Sequence, residues 1–203
     1  FIEALRKIII ENNIDLLIPT CEEAFHVAKG RDGLPCAVFV ESLKKLNELH
    51  NKWFFVINAI GHDLYAPETM YLNNQEDLLH SFAHWRELVL KPVYSRFAAR
   101  TLILPTLKYA LSTLVVNSKA PWVAQEYIKG KQICTYSICH SGRITAHTAY
   151  ESTFTAGEGA TIAFQHLDHL GTFNWVKTFV AKNQFTGQIA FDFIQSHDGQ
   201  LYG

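Results

Sequence analysis

The stretch Gln188-Ile-Ala-Phe-Asp-Phe-Ile-Gln-Ser-His-Asp-Gly-Gln-Leu-Tyr-Gly203 decides how the rest of the chain is read. Ile189, Phe191 and Phe193 alternate with Gln188, Ala190 and Asp192 ahead of the apolar Ile194, and a period of two predicts a strand. Asp198-Gly199 is the dipeptide that best accepts the backbone of a tight hairpin turn, and Leu201-Tyr202 begins a return strand. Asp192 sits among large apolar residues, where an uncompensated carboxylate is costly. Either it faces solvent on the polar side of the strand, or it faces a cation.

Outward from that strand, the 203-residue chain is 48% hydrophobic and 18% charged, enough to bury a core and unlike a disordered segment. Lys and Arg number 18 against 19 Asp and Glu, a balance without the basic footprint of a nucleic-acid binder. Cys21, Cys36, Cys134 and Cys139 are scattered with no Cys-x-x-Cys, which argues against a disulfide framework or zinc site and for a reducing cytoplasm. No apolar run approaches the roughly 20 residues that span a bilayer. Phe1 is not an initiator Met and the chain stops abruptly at Gly203, so the sequence is expected to be a fragment.

At the amino-terminal end, helical spacing over Phe1 to Asn13 is followed by a buried-strand run at Asp15 to Pro19. A helix capped by Thr20 and a second strand at Cys36 to Val40 come next. Helix, strand, helix, strand is the order of a parallel α/β layer. Glu41 to about Ile60 reads as one helix, with Leu43, Leu46, Leu49, Trp53 and Val56 on its apolar stripe and Lys52 beside it. An extended segment to Leu72, a helix over Gln75 to Arg86 and a strand at Leu88 to Pro92 follow. Thr101 to Leu104 is a further strand, and Pro105-Thr106 opens a helix to about Leu114. Strands at Trp122 to Ile128, Gln132 to His140 and Arg143 to Tyr150, then a helix over Gly171 to Lys182, complete an α+β order.

Several local patterns carry little. Gly157-Glu-Gly159 lacks the rest of a nucleotide fingerprint and reads as a turn. His166 and His169 share a face if helical, but no third ligand is near. Cys134 and Cys139 alternate into apolar strands as small core residues. No nucleophile elbow or Ser-His-Asp arrangement is present. Lys91 is more informative: at the apolar end of a strand and pinned by Pro92, it is either a point charge aimed at phosphate or a strand-end lysine reaching water.

Taken together, Lys52, Leu90-Lys-Pro92, Gln125-Glu-Tyr-Ile-Lys-Gly-Lys-Gln132 and Phe191-Asp-Phe-Ile194 with its Asp-Gly turn resemble the ATP-grasp superfamily, in particular the carbamoyl-phosphate synthase large-chain-like and D-alanine ligase-like carboxylate ligases. The resemblance covers nearly the whole chain. It implies two α+β subdomains that sandwich ATP, preceded by the end of a parallel α/β domain. The corresponding boundaries are 1–40 for the preceding domain, 41–120 for the first subdomain with its connecting helix, and 121–203 for an incomplete second subdomain.

By the same resemblance, Lys52 and Lys91 reach ATP phosphates, and the Glu126 carbonyl and Ile128 amide, flanking Tyr127, hold adenine. Ile194 walls the base, and Gln132 takes the place where relatives often carry an acidic residue on the ribose hydroxyls. Asp192 is the first ligand of Mg2+, with Mn2+ as a substitute, and a Glu and an Asn are expected just past Gly203. The loop from Tyr94 to Arg100 is poor in glycine, so Arg96 or Arg100 is expected to supply charge there. The implied activity is ADP-forming ligation: a carboxylate or bicarbonate becomes an acyl phosphate and is captured by an amine or other nucleophile. The expected partners are therefore small molecules, with a homodimer as the expected assembly. The rival reading is an ATP-binding sensor or partner-binding module of the same fold with impaired catalysis.

Overall fold

The computed structural model describes the backbone of residues 1–95, 100–156 and 160–203, and side chains at these positions except 152–156 and 160–162. Arg96 and Gly157 to Gly159, named above, lie outside the described residues. Three sheets, each with its own apolar cluster, follow one another along the chain.

The first is a parallel pair, β1 (Leu16–Leu17) and β2 (Ala37–Val38), with Leu16 beside Ala37. Helices α1 (Ile2–Glu11) and α2 (Glu23–Gly30) cover it through Ile9, Val27 and Ala28, with Leu34 joining the same cluster. The expected cap on α2 is inverted. Thr20 offers no side-chain bond; instead Glu23 Oε1 accepts the amides of Thr20 and Cys21 at 2.8 and 3.0 Å. An anionic acceptor inside the first turn satisfies the free N–H groups and favours the positive end of the helix.

The single helix expected over Glu41 to Ile60 is two helices, α3 (Leu43–His50) and α4 (Lys52–Ile60). Ser42 caps the first, and Asn51 interrupts the run with an extended backbone (φ −74°, ψ 109°). Its Oδ1 accepts from the amides of Trp53 and Phe54 at 3.0 and 3.1 Å.

The second sheet has the order β3-β6-β4-β5, all antiparallel, from β3 (Thr69–Leu72), β4 (Leu88–Pro92), β5 (Leu102–Ile103) and β6 (Trp122–Glu126). Helices α5 (Gln75–His84) and α6 (Leu107–Thr113) bury Leu78 and Ala110 against Leu72, Leu88, Leu90 and Trp122. Thr106 caps α6, its hydroxyl accepting the Tyr109 amide. Because β6 pairs with β3 and β4, the change of sheet falls after Glu126, one strand later than the boundary read at 120/121.

The third sheet has the order β11-β10-β7-β8-β9, from β7 (Gly130–His140), β8 (Arg143–Ala156), β9 (Ala160–Leu167), β10 (Gly187–Ser196) and β11 (Leu201–Tyr202). Ser141 and Gly142, at φ 48° and 75°, make the β7–β8 turn with the two positive φ angles that match the twist of a tight hairpin. Helix α7 (Leu170–Lys182) covers one face, where Trp175 stacks on Phe179 at 5.3 Å and meets Phe191 and Phe193 edge-on. Phe55 and Ala59 of α4 enter this same cluster. His166 and His169 do not share a helix face: His166 is in β9, and His169 caps α7 by accepting the Thr172 amide.

Candidate functional site

Strand β4 turns Leu88 and Leu90 to one face and Val89 and Lys91 to the other. Leu88 and Leu90 are buried under α5 and α6, which sends Lys91 to the other face, opposite Val123 of β6. Burial depresses the Lys91 ammonium below the ordinary lysine range, and Asp192 offsets part of that effect. Lys52 opens α4 nearby. Burial, and secondarily repulsion from Lys91, push its pKa down to about 8. Two cations from different elements are thus held where water is scarce, together with the positive end of a helix.

The opposing wall comes from the third sheet. Phe191 and Phe193 face α7, so Asp192 and Ile194 face the other way. Asp192 lies across from Cys134, and Ile194 lies between Gln132 on one side and Tyr202 on the other. Asp192 is exposed, and its charge acts on Lys91. Burial first, then the charge of Asp192 across the ladder, push the Cys134 thiol up to about 12.

Tyr127, Ile128 and Lys129 form the crossing from β6 to β7, between the second and third sheets. The Tyr127 amide donates to the Glu87 carbonyl at 3.2 Å. The Glu126 side chain plays a part the sequence did not announce: its Oε1 accepts the Glu68 amide at 2.8 Å, while its own N–H donates to the Glu68 carbonyl at 3.0 Å. Both bonds fasten the start of β3 to the end of β6 and leave the Glu126 carboxylate engaged with protein.

The structure therefore brings Lys52, Lys91 and Asp192 into one electrostatic neighbourhood and sets Gln132 and Ile194 on the sheet face that carries Asp192. It adds residues that sequence reasoning missed. Asn51 and Tyr94 are bonded to each other, Ser95 accepts from Lys52 Nζ at 2.9 Å, and Cys134 and Tyr202 flank the predicted residues of β10. Of these only Asn51 had a usable signal, since asparagine is a strong helix cap.

The donor set suits a polyphosphate. Two partly desolvated ammoniums, one of which lowers the other's pKa, call for an anion, and an anion bridging them offsets the cost of their burial. Among the described residues there is no cluster of three or more His, Cys, Asp or Glu side chains to hold a hard divalent cation, and Asp192 is the carboxylate of this face of β10. One carboxylate completed by phosphate oxygens and water is an arrangement magnesium accepts.

No protein-family model matches the chain. An uncharacterized protein of Methanocaldococcus jannaschii is 30% identical over 90 residues, 43% of this chain and 22% of that protein. Among solved structures, the ADP complex of N5-carboxyaminoimidazole ribonucleotide synthetase superimposes with a TM-score of 0.73 at 12% identity, covering 99% of this chain and 54% of that one. The ATP-grasp ligase PsnB, complexed with minimal precursor, Mg and ADP, gives 0.60 at 17% identity over 88% of this chain and 55% of that one. The chain thus spans about half the length of these structures and a smaller share of the archaeal relative. This chain has two antiparallel sheets joined by a short crossing, each backed by helices and following a parallel α/β layer, and with these superpositions the chain has the ATP-grasp fold.

Proposed function

We propose that the protein binds ATP between its second and third sheets and belongs to a ligase that activates a carboxylate or bicarbonate as an acyl phosphate. The observation that carries this reading is the convergence of Lys52 and Lys91, both with lowered pKa, opposite Asp192. The solved neighbours named as a synthetase and a ligase, both with bound ADP, support it.

In this reading a carboxylate oxygen attacks the γ-phosphorus, the bond to the β-phosphate oxygen breaks, and ADP leaves with the electron pair. An amine nitrogen or other nucleophile then attacks the acyl carbon, loses its proton, and expels phosphate. No covalent enzyme intermediate is needed, so positioning and charge stabilisation carry the acceleration. Lys52 and Lys91 bind the β- and γ-phosphates and stabilise the transferring phosphoryl group. Asp192 is the ligand for Mg2+ or Mn2+, which when bound neutralises phosphate charge. The Glu126 carbonyl and Ile128 amide pair with adenine beside Tyr127, Ile194 walls the base, and Gln132 bonds the ribose. Arg96 is proposed as a further catalytic residue.

The residues 1–40, 41–120 and 121–203 are proposed as the preceding domain and the two subdomains, with β6 contributing to the sheet of the first. A homodimer acting on small molecules in the cytoplasm completes the proposal; among the described residues no helix is long and apolar enough to cross a membrane. Gln132 in place of an acidic residue favours a second reading, a nucleotide-binding sensor. Calorimetric titration with Mg-ATP, followed by ADP release across a panel of carboxylates and amines, separates the two. Binding with acceptor-stimulated ADP release supports the ligase, and binding without turnover supports the sensor. No binding overturns both.

A further inference from the structure

The break between α3 and α4 falls one residue before Lys52, in the middle of an apolar stripe that gives no reason to stop. We propose that Asn51, with Tyr94 as its partner, is the positioning residue that sets the spacing of the two phosphate-facing lysines. The inference rests on reading the cleft as a nucleotide site.

Three hydrogen bonds join residues 51–52 to residues 93–95. The Lys52 amide donates to the Val93 carbonyl at 3.1 Å, Asn51 Nδ2 donates to Tyr94 Oη at 2.9 Å, and Lys52 Nζ donates to the Ser95 carbonyl at 2.9 Å. In an unbroken helix the Lys52 amide would bond the carbonyl four residues back, that of Glu48, and the lysine would belong to the helix alone. Here it is tied to the chain two residues beyond Lys91. The Val93 amide is itself held by the Pro121 carbonyl at 3.1 Å, so the anchor point is fixed to the edge of β6.

Two ammoniums that repel each other stay close only if the backbone holds them there. Asn51 supplies that hold from both ends of its amide. Its oxygen caps α4, and its nitrogen reaches Tyr94, with the residue only 6% exposed. Serine caps a helix as well, but its short hydroxyl spans no such distance to a second element. Asparagine combines an acceptor and a donor on one planar group, which this joint uses in full.

The test uses two variants that leave the cap in place. Tyr94→Phe removes a hydroxyl alone, and Asn51→Ser keeps a capping oxygen while losing the amide. Each is expected to weaken Mg-ATP binding by about five- to ten-fold, the scale of one hydrogen bond. The double variant is expected to bind no more weakly than Asn51→Ser, because both changes remove one interaction.

Amine acylation of Lys52 followed against pH, read by peptide mass spectrometry, supplies a measure that a purely structural role would not move. Half-maximal reactivity is expected near pH 8 in the parent. In Tyr94→Phe it is expected to move upward as the two ammoniums part, while burial, the larger cause, still holds it below the ordinary lysine value. Unchanged affinity and an unchanged profile in Tyr94→Phe, with a parent that binds, overturn the positioning role whatever happens to the melting temperature. A parent that fails to bind Mg-ATP overturns the nucleotide reading instead, and the Lys52 profile then decides by itself whether the Asn51–Tyr94 pair fixes the lysine.

Discussion

Gln132 stands directly opposite Ile194 across the β7–β10 ladder, two residues along the strand from Asp192. A residue for the sugar, one for the base and one for the metal thus occupy adjacent positions on one sheet face in the proposed site. Because Gln132 is neutral, its bond to a ribose hydroxyl lacks the charge assistance a carboxylate gives. Gln132→Glu is expected to tighten Mg-ATP binding by about three-fold, about half the net worth of a hydrogen bond. The same change should leave 2′,3′-dideoxy-ATP unaffected, and calorimetry with the two nucleotides checks the difference.

Lys91→Met keeps the length of the side chain and removes the charge. Lys91 stands opposite Val123 in the β4–β6 ladder and is half-buried, so an apolar side chain of the same length should leave folding intact while phosphate binding is lost. Mg-ATP affinity is expected to fall ten-fold or more, about 1.4 kcal/mol. Equal affinity in parent and variant would remove Lys91 from the site.

Lys52 makes the site sensitive to pH in a direction opposite to an ordinary lysine bridge. Its folded pKa of about 8 lies below the unfolded value of 10.5, so between these limits the unfolded chain holds a proton that the folded chain lacks. Through this group, stability rises as pH rises across that window. A bound polyphosphate reverses the preference and draws the proton back. Titrating Mg-ATP at pH 8.5 in buffers of different ionisation enthalpy should show net proton uptake, and Lys52→Met should lose it.

Three of the four thiols should separate by reactivity. Burial, followed in Cys134 by the Asp192 charge, holds the Cys134 and Cys139 pKa values at about 12 and about 11, so neither is a thiolate at pH 8. Cys21 is exposed. Limited alkylation with iodoacetamide at pH 8 is expected to mark Cys21 first and to leave Cys134 and Cys139 unmodified until the protein unfolds. Early labelling of Cys134 would mean that the third sheet opens on its cleft face.

How much of this was legible depended on whether the deciding contact was local. Strand β10 announced itself, because Phe191 and Phe193 alternate against Asp192, and so did β4 with Lys91 at its end. The hairpin at Ser141-Gly142 was readable from two residues that tolerate positive φ. The α3–α4 break was hidden, since Leu49, Trp53 and Val56 continue a helical stripe straight through Asn51. What overrides the stripe is a bond to Tyr94, 43 residues away. Glu126 was legible as a hinge residue only through resemblance; that its carboxylate closes on Glu68 depends on β3–β6 register, which spacing along the chain does not encode. The pairing of Cys134 with Asp192 is of the same kind.

Helix α4 has one end in each half of the molecule. Its first residue is bonded to the end of β4, while Phe55 and Ala59 are rooted in the aromatic cluster of the third sheet beside Trp175 and Phe179. A rigid rod fixed in one body and resting on another turns rotation into displacement at its tip. Any change of angle between the two sheets therefore reaches the Lys52 ammonium as a shift along or across β4, and a ligand gripping that ammonium resists the rotation in turn.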